Sequence, residues 1–262
     1  MLDVLRAEWT KLRTVRSTGW SFVAIVGLTI GLTAFVCSFL TTEGGSPGEP
    51  GDDDVVSSSL SGVVLGQIAV AALAALAVTA EYATGMIRTS FTAVRRRHTV
   101  LLAKVIVVAT TVLVLGVAAG LGAFAVAQPI LHRNGYVAAN GYPAASITDA
   151  ATARAVAGTA LYLALFAMLS VGLAMIMRHT AATVTTVLGL LFVPYMAALT
   201  LPEHPRHLIQ QVSPMTAGLA VQRTVDRADS VPIGPWAGLA VLAAWAAVAL
   251  ALGFWLTRRR DA

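Results

Sequence analysis

The sequence predicts an all-α membrane protein with six transmembrane helices. Of its 262 residues, 57% are hydrophobic and only 12% are charged, whereas a soluble domain carries about 25% charged residues. Six stretches of more than 20 residues contain no Asp, Glu, Lys, Arg or His, and about 20 apolar residues suffice for a helix to cross a membrane. The period-two alternation of barrel strands is absent from all six. We therefore expect one six-helix transmembrane domain over residues 1–262.

The six predicted spans follow the charge-free stretches. They are Thr18–Leu40, Ser57–Ala80, Val105–Ala127, Ala155–Met177, Ala181–Leu201 and Trp236–Leu256. The first is too long for the apolar part of a signal peptide, and no A-x-A cleavage site follows it, so we interpret it as an uncleaved helix. Only residues 178–180 separate spans four and five, which predicts an antiparallel hairpin. After span five, Ser213 as N-cap and Pro214 at the first helical position predict a short helix.

The distribution of Lys and Arg predicts the orientation of the spans. With the N-terminus inside, the inner segments hold thirteen of the 18 basic residues, and the outer segments hold five. The loop over residues 41–56 has no Lys or Arg and carries five acidic residues. Because inner loops are enriched in Lys and Arg, we expect both termini in the cytoplasm.

Several function classes are disfavoured by what the spans lack. Ion-coupled carriers usually keep ionisable groups inside the membrane, and these spans have none. An intramembrane serine protease needs a base near its nucleophile, but no span contains His; the metalloprotease motif H-E-x-x-H is also missing. The phosphate-binding motif G-x-x-x-x-G-K-[ST] needs a lysine, and neither Lys11 nor Lys104 follows a glycine. We therefore expect no enzyme activity in this chain, and any energy source to be a partner.

Cofactors and nucleic acid are equally disfavoured. A single cysteine, Cys37, allows no intrachain disulfide, and no Cys/His set resembles a metal site. His204 and His207 have a metal-like spacing, but Pro205 between them predicts a solvated loop in place of a helix. The net charge of +5 lies between apolar runs and forms no basic face, so a nucleic-acid partner is not expected.

The N-terminal segment Leu2–Arg16 has helical periodicity. Its apolar stripe consists of Leu2, Leu5, Trp9 and Leu12. Its charged positions are Arg6, Glu8, Lys11, Arg13 and Arg16. This pattern predicts an amphipathic helix in the plane of the membrane interface, with Trp9 among the lipid headgroups and the basic residues toward lipid phosphate or a partner. The alternative is a simple basic anchor for the first span.

A second amphipathic pattern follows span two. Glu81 and Arg88 would lie about 10.5 Å apart along a continuous helix, and a bend at Gly85 would bring their charges together. The apolar residues of this segment repeat at helical spacing, and they are Ile87, Phe91 and Val94. We expect a short cytoplasmic helix between spans two and three; the alternative is a charged end of span two.

Two pairs of glycines are spaced by four residues, Gly27/Gly31 and Gly116/Gly120. Small residues at this spacing let two helices approach closely. They indicate close packing within the bundle or, alternatively, a seam between two copies of the protein.

Taken together, these features resemble a permease subunit of an ABC exporter, of the ABC type-2 class common in actinobacteria. The similarity runs through the whole chain and is strongest at Glu81-Tyr82-x-x-Gly85-x-Ile87-Arg88, which an arginine cluster follows. Its other motifs are Glu8-Trp9-Thr10-Lys11-Leu12-Arg13-Thr14, Ala103-Lys104 and Ser213-Pro214-Met215-Thr216-Ala217-Gly218. Met86 departs from the Thr often found there, and Arg95 from the Pro that often begins the cluster.

The resemblance implies a multi-pass protein of a bacterial plasma membrane, in which two permease subunits assemble with two separate ATP-binding subunits. The second permease would be another copy or a related chain. The uncharged spans of this sequence favour a hydrophobic or amphipathic substrate over an ion. The implied ATPase-coupling residues are Glu81, Tyr82, Gly85, Ile87, Arg88, Phe91 and Val94. The implied interface helix beside them contributes Glu8, Trp9, Lys11 and Arg13. The alternative function is a non-transporting membrane scaffold or sensor.

Overall fold

The computed structural model describes residues 2–41, 53–83, 97–142, 145–225 and 231–260, and these residues form helices and turns without any strand. The predicted inter-span helix lies outside the described residues, because it falls in residues 84–96. The same is true of five implied coupling residues, namely Gly85, Ile87, Arg88, Phe91 and Val94.

Ten α-helices are described. They are α1 (Leu2–Thr14), α2 (Arg16–Phe39), α3 (Val55–Ser59), α4 (Val63–Ala83), α5 (Arg97–Arg133), α6 (Ala150–Met177), α7 (Thr180–Thr200), α8 (Glu203–Val212), α9 (Pro214–Leu219) and α10 (Pro235–Arg260). Six of them, namely α2, α4, α5, α6, α7 and α10, are long and apolar enough to cross a membrane. The predicted number of spans is thus confirmed, and each predicted span overlaps one of these helices.

Helix α6 is the centre of the bundle. It packs against α4, α5 and α10, and about two thirds of its most apolar window is buried. Tyr162 and Phe166 are among its fully buried side chains, and their rings are stacked with centroids 6.3 Å apart. Helices α2 and α7 bury only 22% of their corresponding windows. These two helices therefore present most of their apolar surface outward.

Helix α5 is much longer than the predicted third span. Its 37 residues correspond to about 55 Å of helix, whereas the hydrocarbon core of a bilayer is about 30 Å thick. The extra turns lie on both sides of Val105–Ala127, so the helix continues beyond the apolar layer. Lys104 lies immediately before this apolar part, on a continuous helix with it.

The second transmembrane helix begins at Val63, six residues later than Ser57. The preceding residues form the separate helix α3, whose N-cap Asp54 accepts a hydrogen bond from the backbone N–H of Ser57 at 2.9 Å. A turn follows, and Gly62 lies so close to α2 that a Cβ atom there would overlap the carbonyl oxygen of Thr29. The Asp54 cap and the close approach of Gly62 to α2 therefore divide the predicted second span into two helices, α3 and α4.

The two glycine pairs have different surroundings. A Cβ on Gly116 would lie 3.0 Å from the Cα of Ala160 in α6, and one on Gly120 would lie 3.4 Å from Val156, so this pair packs within the bundle as expected. Gly27 and Gly31 are exposed, and a Cβ on either would have no other atom of the described chain within 4 Å. For this first pair, the expectation of packing inside the bundle is wrong.

The predicted hairpin between spans four and five is confirmed. Only Arg178 and His179 join α6 to α7, and the two helices contact each other. Arg178 ends α6 in the left-handed conformation with φ 56°. His179 is the N-cap of α7, where its Nδ1 accepts from the N–H of Ala182 at 3.5 Å.

The segment after span five is helical over more of its length than predicted. Helix α9 begins at Pro214 after Ser213, as expected, although the Ser213 side chain makes no capping hydrogen bond. The prediction of a loop around Pro205 is wrong, because His204 and His207 lie in helix α8. Pro205 is the third residue of α8, and a first-turn residue needs no N–H for the helical ladder.

Candidate functional site

A cluster of four charged side chains joins α1, α4 and α5. We call it the charge cluster; its members are Glu8 and Lys11 of α1, Glu81 of α4 and Lys104 of α5. Glu8, Glu81 and Lys104 are buried, with exposed fractions of 3%, 7% and 4%. Lys11 is at the rim, with its side chain about one third exposed.

Helix α1 brings Glu8 to this site by turning a different face inward than its apolar stripe suggested. Leu5 and Leu12 pack against the bundle, and Glu8 lies between them at helical spacing. Trp9 and Leu2 face outward, with exposed fractions of 46% and 71%. Glu8, one of the charged positions that flank the predicted apolar stripe, is therefore buried, and its carboxylate has a buried cationic partner in Lys104.

The two lysines bridge the two glutamates. Lys104 Nζ donates to Glu8 Oε2 at 2.6 Å and to Glu81 Oε1 at 3.0 Å. Lys11 Nζ donates to Glu8 Oε1 at 2.7 Å and to Glu81 Oε1 at 2.8 Å. A third hydrogen bond runs from Lys104 Nζ to the carbonyl oxygen of Ala77 at 3.0 Å. All three ammonium donors of Lys104 are thus used, and each bond connects α5 to another helix.

The formal charges of the cluster cancel, which allows the four groups to be buried together. An isolated buried charge is strongly unfavourable, but the cost falls when opposite charges and hydrogen bonds compensate it. Burial alone would lower the pKa of Lys11, yet its hydrogen bonds to Glu8 and Glu81 and their negative charges prevail and raise that pKa above its ordinary value. Lys11 therefore stays protonated, and the cluster keeps its neutral balance.

Glu81 has one oxygen that the cluster does not use. Its Oε1 accepts from both lysines, whereas its Oε2 is buried and has no hydrogen-bond partner among the described residues. Arg88, the partner predicted from the sequence, lies outside the described residues. The Glu81–Arg88 pair stays a prediction, and the structure shows that Glu81 also has partners on α1 and α5.

Of the other predicted site residues that the structure describes, Tyr82 is also near the end of α4. The guanidinium carbon of Arg178 lies 4.8 Å from the centre of the Tyr82 ring, which is within the range of a cation–π contact. This contact connects α4 to the turn between α6 and α7. Trp9 and Arg13 are exposed on α1 and are not part of the charge cluster.

Lys104 is the member that sequence reasoning did not assign to the site, although it was part of a quoted motif. A signal for it exists, since Lys104 is one of only two lysines in the chain and directly precedes a long apolar run. A charge at that position belongs either to the membrane interface or to a buried pair. Only the structure distinguishes the two, because Glu8 is 96 residues away in the sequence.

The charge cluster connects three helices by side-chain ion pairs. No group of three or more His, Cys, Asp or Glu that could hold a metal occurs in the described residues. The cluster joins the middle of α1 and the N-terminal part of α5 to the last turn of α4, which ends at Ala83.

A second buried carboxylate lies beyond the other end of α4. Asp54 accepts four hydrogen bonds: Oδ1 from Ser57 N–H at 2.9 Å and Thr224 Oγ1 at 2.8 Å, and Oδ2 from the N–H groups of Thr224 at 2.5 Å and Val225 at 3.0 Å. It thereby joins α3 to the segment that follows α9. This residue was not singled out in the sequence, where it is one of several acids in a polar loop.

Comparison with known proteins gives no match: no protein-family model and no curated protein matches this chain.

Proposed function

We propose that this chain is the membrane-spanning permease subunit of an ATP-driven exporter of the ABC type-2 class, located in a bacterial plasma membrane. A separate ATP-binding subunit supplies the energy, and a second permease chain completes the path for a hydrophobic or amphipathic substrate. The observation that carries the proposal is the charge cluster, because it connects α1 and α5 to the last turn of α4, two residues before α4 ends at Ala83. A transporter driven from outside the membrane needs such a rigid connection at its point of contact.

Three further observations support the proposal. The six apolar helices provide the transmembrane part. The chain has no phosphate-binding loop of the P-loop type anywhere in its sequence, so energy from ATP has to come from a partner. The motifs around Glu81 and Trp9 resemble those of the family. A direct test is to purify the chain from its native membrane and identify co-purifying proteins by mass spectrometry, and we expect a P-loop ATPase in equimolar amount.

The proposed orientation places both termini inside and residues 41–56 outside. After Cys37 is replaced by Ser, a Ser46→Cys variant in intact cells is expected to react with a membrane-impermeant maleimide. A Thr14→Cys variant at the end of α1 is the matched control and should react only after the cells are opened. Labelling of Thr14→Cys alone in intact cells would reverse the orientation and contradict the proposal.

Among the predicted coupling residues, we expect Phe91 to contribute most to the affinity for the ATP-binding subunit. If residues 87–97 sit in a groove of that subunit, Phe91→Ala removes a buried aromatic anchor at the centre of the contact. Such a loss costs about 2 kcal/mol, or about thirtyfold in affinity. We expect this weakening in a binding measurement between the purified subunits, together with lower export and unchanged membrane insertion.

Phe39→Ala is the matched control, since Phe39 is 72% exposed on α2. This variant should bind the ATP-binding subunit like the parent. If the parent and Phe91→Ala bind the ATP-binding subunit with equal affinity, Phe91 is not part of the contact.

A further inference from the structure

Helix α1 has an exposed side that combines apolar and basic residues. Leu2, Arg6, Trp9 and Arg13 are all exposed, and we call this set the α1 stripe. Their spacing of four, three and four residues places them along one side of the helix. At 3.6 residues per turn, this side lies about a quarter of a turn from the inward face that carries Glu8. The α1 stripe is therefore a surface separate from the charge cluster.

The end of α10 has a second surface of the same kind. Val248, Leu252, Trp255 and Arg259 are exposed and follow one another at the same spacing, and we call this set the α10 stripe. The guanidinium carbon of Arg259 lies 4.2 Å from the centre of the Trp255 ring, within the range of a cation–π contact. Along this stripe the residues change from aliphatic to aromatic to basic. A transmembrane helix shows this order where it leaves the hydrocarbon and enters the headgroup region.

The two stripes lie at the same end of the bundle. Near its end α10 packs on the end of α6, where a Cβ on Gly253 would lie 3.0 Å from the Cβ of Met175. Arg178, which ends α6, contacts the ring of Tyr82 in the last turn of α4, and the charge cluster joins that turn to α1. Because α1 packs against α2 and α5, whereas α10 packs against α6 and α9, the stripes are on different flanks of the bundle.

The exposed charge around the two stripes is positive. Helix α1 has two acids, and the charge of Glu8 is compensated inside the charge cluster. Asp3 is exposed at 4.0 Å from Arg6, and an exposed pair of this kind contributes little. Helix α10 contains no acid, and Arg258 is exposed beside the α10 stripe. The burial of Glu8 thus leaves the surface of α1 more basic than its composition suggests.

Basic residues at the opposite end of the bundle are used differently. The guanidinium of Arg154 donates to the carbonyl oxygen of Arg223 at 2.7 Å, and that of Arg223 donates to two further backbone carbonyls at 2.6 and 2.8 Å. Asp149, the N-cap of α6, and Asp53 are exposed at that end. Charge complementarity therefore favours a negatively charged partner at the end that carries the two stripes.

We propose that the two stripes bind anionic phospholipids of the leaflet that surrounds this end of the bundle. The arginines donate to the phosphate groups, and the tryptophan rings lie at the level of the headgroups. Lipid is favoured over a soluble acidic protein because the α10 stripe continues directly from the apolar surface of Val248 and Leu252. Binding needs only this chain and a bilayer, so the proposal holds or fails independently of the proposed function.

Site-resolved lipid labelling tests the proposal. The purified full-length protein is placed in phosphatidylcholine nanodiscs, with phosphatidylglycerol or phosphatidylcholine that carries a diazirine near the glycerol as the probe. We expect phosphatidylglycerol to label residues 2–13 and 248–259 at concentrations at least about tenfold lower, since each arginine near an anionic surface contributes about fivefold. This preference should shrink at about 1 M salt, where exposed charges are screened. Equal labelling by both probes at low salt would overturn the proposal.

One variant in each stripe separates the two surfaces. Arg6→Gln should lower the preference for phosphatidylglycerol about fivefold at the α1 stripe and leave the α10 stripe unchanged, and Arg259→Gln should do the reverse. Arg6→Lys and Arg259→Lys keep the charge and should keep most of the preference. Arg133→Gln is the matched control, because Arg133 is exposed at the opposite end of the bundle. An undiminished preference in both glutamine variants would contradict the proposal.

An acidic surface of an ATP-binding subunit is the competing occupant of the two stripes. The affinity between the purified subunits, measured in a detergent without anionic lipid, distinguishes it from lipid. If Arg6→Gln or Arg259→Gln weakens that affinity while the lipid labelling stays like the parent's, the stripe bears a protein contact and the proposal is overturned.

Discussion

Lys104→Met is expected to destabilise the protein by about 3–5 kcal/mol, the range seen when one partner of a buried ion pair is removed. Lys104 Nζ donates to Glu8, Glu81 and the carbonyl of Ala77, so its loss leaves two buried carboxylates to a single lysine. Met preserves the length and apolar stem of the side chain, and the effect therefore reports the charge. The free energy of unfolding of the detergent-purified protein measures it.

Lys11→Met is the matched control within the same cluster. Its ammonium group bridges the same two glutamates, but the side chain is one third exposed, and solvent can compensate part of the lost charge. We expect a clearly smaller destabilisation than for Lys104→Met. The double variant Glu8→Lys with Lys104→Glu should recover part of the stability lost in each single variant. Strictly additive losses, or a Lys104→Met protein as stable as the parent, would show that the buried bridge contributes nothing.

Asp54→Asn is expected to destabilise the protein by about 3 kcal/mol. The carboxylate accepts four hydrogen bonds, two of them from the backbone N–H groups of Thr224 and Val225. An amide of the same shape can present only one oxygen, so its NH2 group must face donors on the other side. Hydrogen bonds to a charged group contribute about 1.5–3 kcal/mol each, and a donor left without an acceptor adds a further cost.

The effect of Asp54→Asn should also be local. Hydrogen exchange of the backbone amides of Thr224 and Val225 should become faster, while exchange in the centre of α6 is unchanged. Asp53→Asn is the neighbouring control: its carboxylate is exposed and accepts from the Tyr136 hydroxyl at 3.2 Å. It should cost about 1 kcal/mol or less. Unchanged exchange at residues 224–225 in Asp54→Asn would refute the anchoring role.

The spans could be predicted from the sequence because the membrane demands long stretches without charge, and that demand is local. The start of α4 could not be predicted in this way. Ser57 and the residues that follow it are uncharged, so a search for charge-free stretches includes them, but the Asp54 cap begins a separate helix there. The prediction of a loop around Pro205 was wrong for a related reason. The effect of a proline depends on whether it lies in the first turn of a helix or inside it.

The candidate site could be predicted only in part. The end of α4 and the N-terminal helix were identified, because charged residues at helical spacing beside an apolar run are visible in the sequence. The face that α1 turns inward was not, since Glu8 becomes favourable inside only when Lys104 is beside it. The two glycine pairs show the same limit: they have identical spacing, yet only Gly116 and Gly120 meet a neighbouring helix.

In the proposed function, this chain moves a substrate with energy from a separate ATP-binding subunit. ATP hydrolysis in proteoliposomes tests it most directly, measured for the purified chain alone and for the chain with its co-purified ATPase. We expect no hydrolysis above background from the chain alone, and hydrolysis by the complex that disappears when the P-loop lysine of the partner is replaced. Sustained, contaminant-free hydrolysis by the single chain, or a native complex without any ATP-binding subunit, would contradict the proposed function.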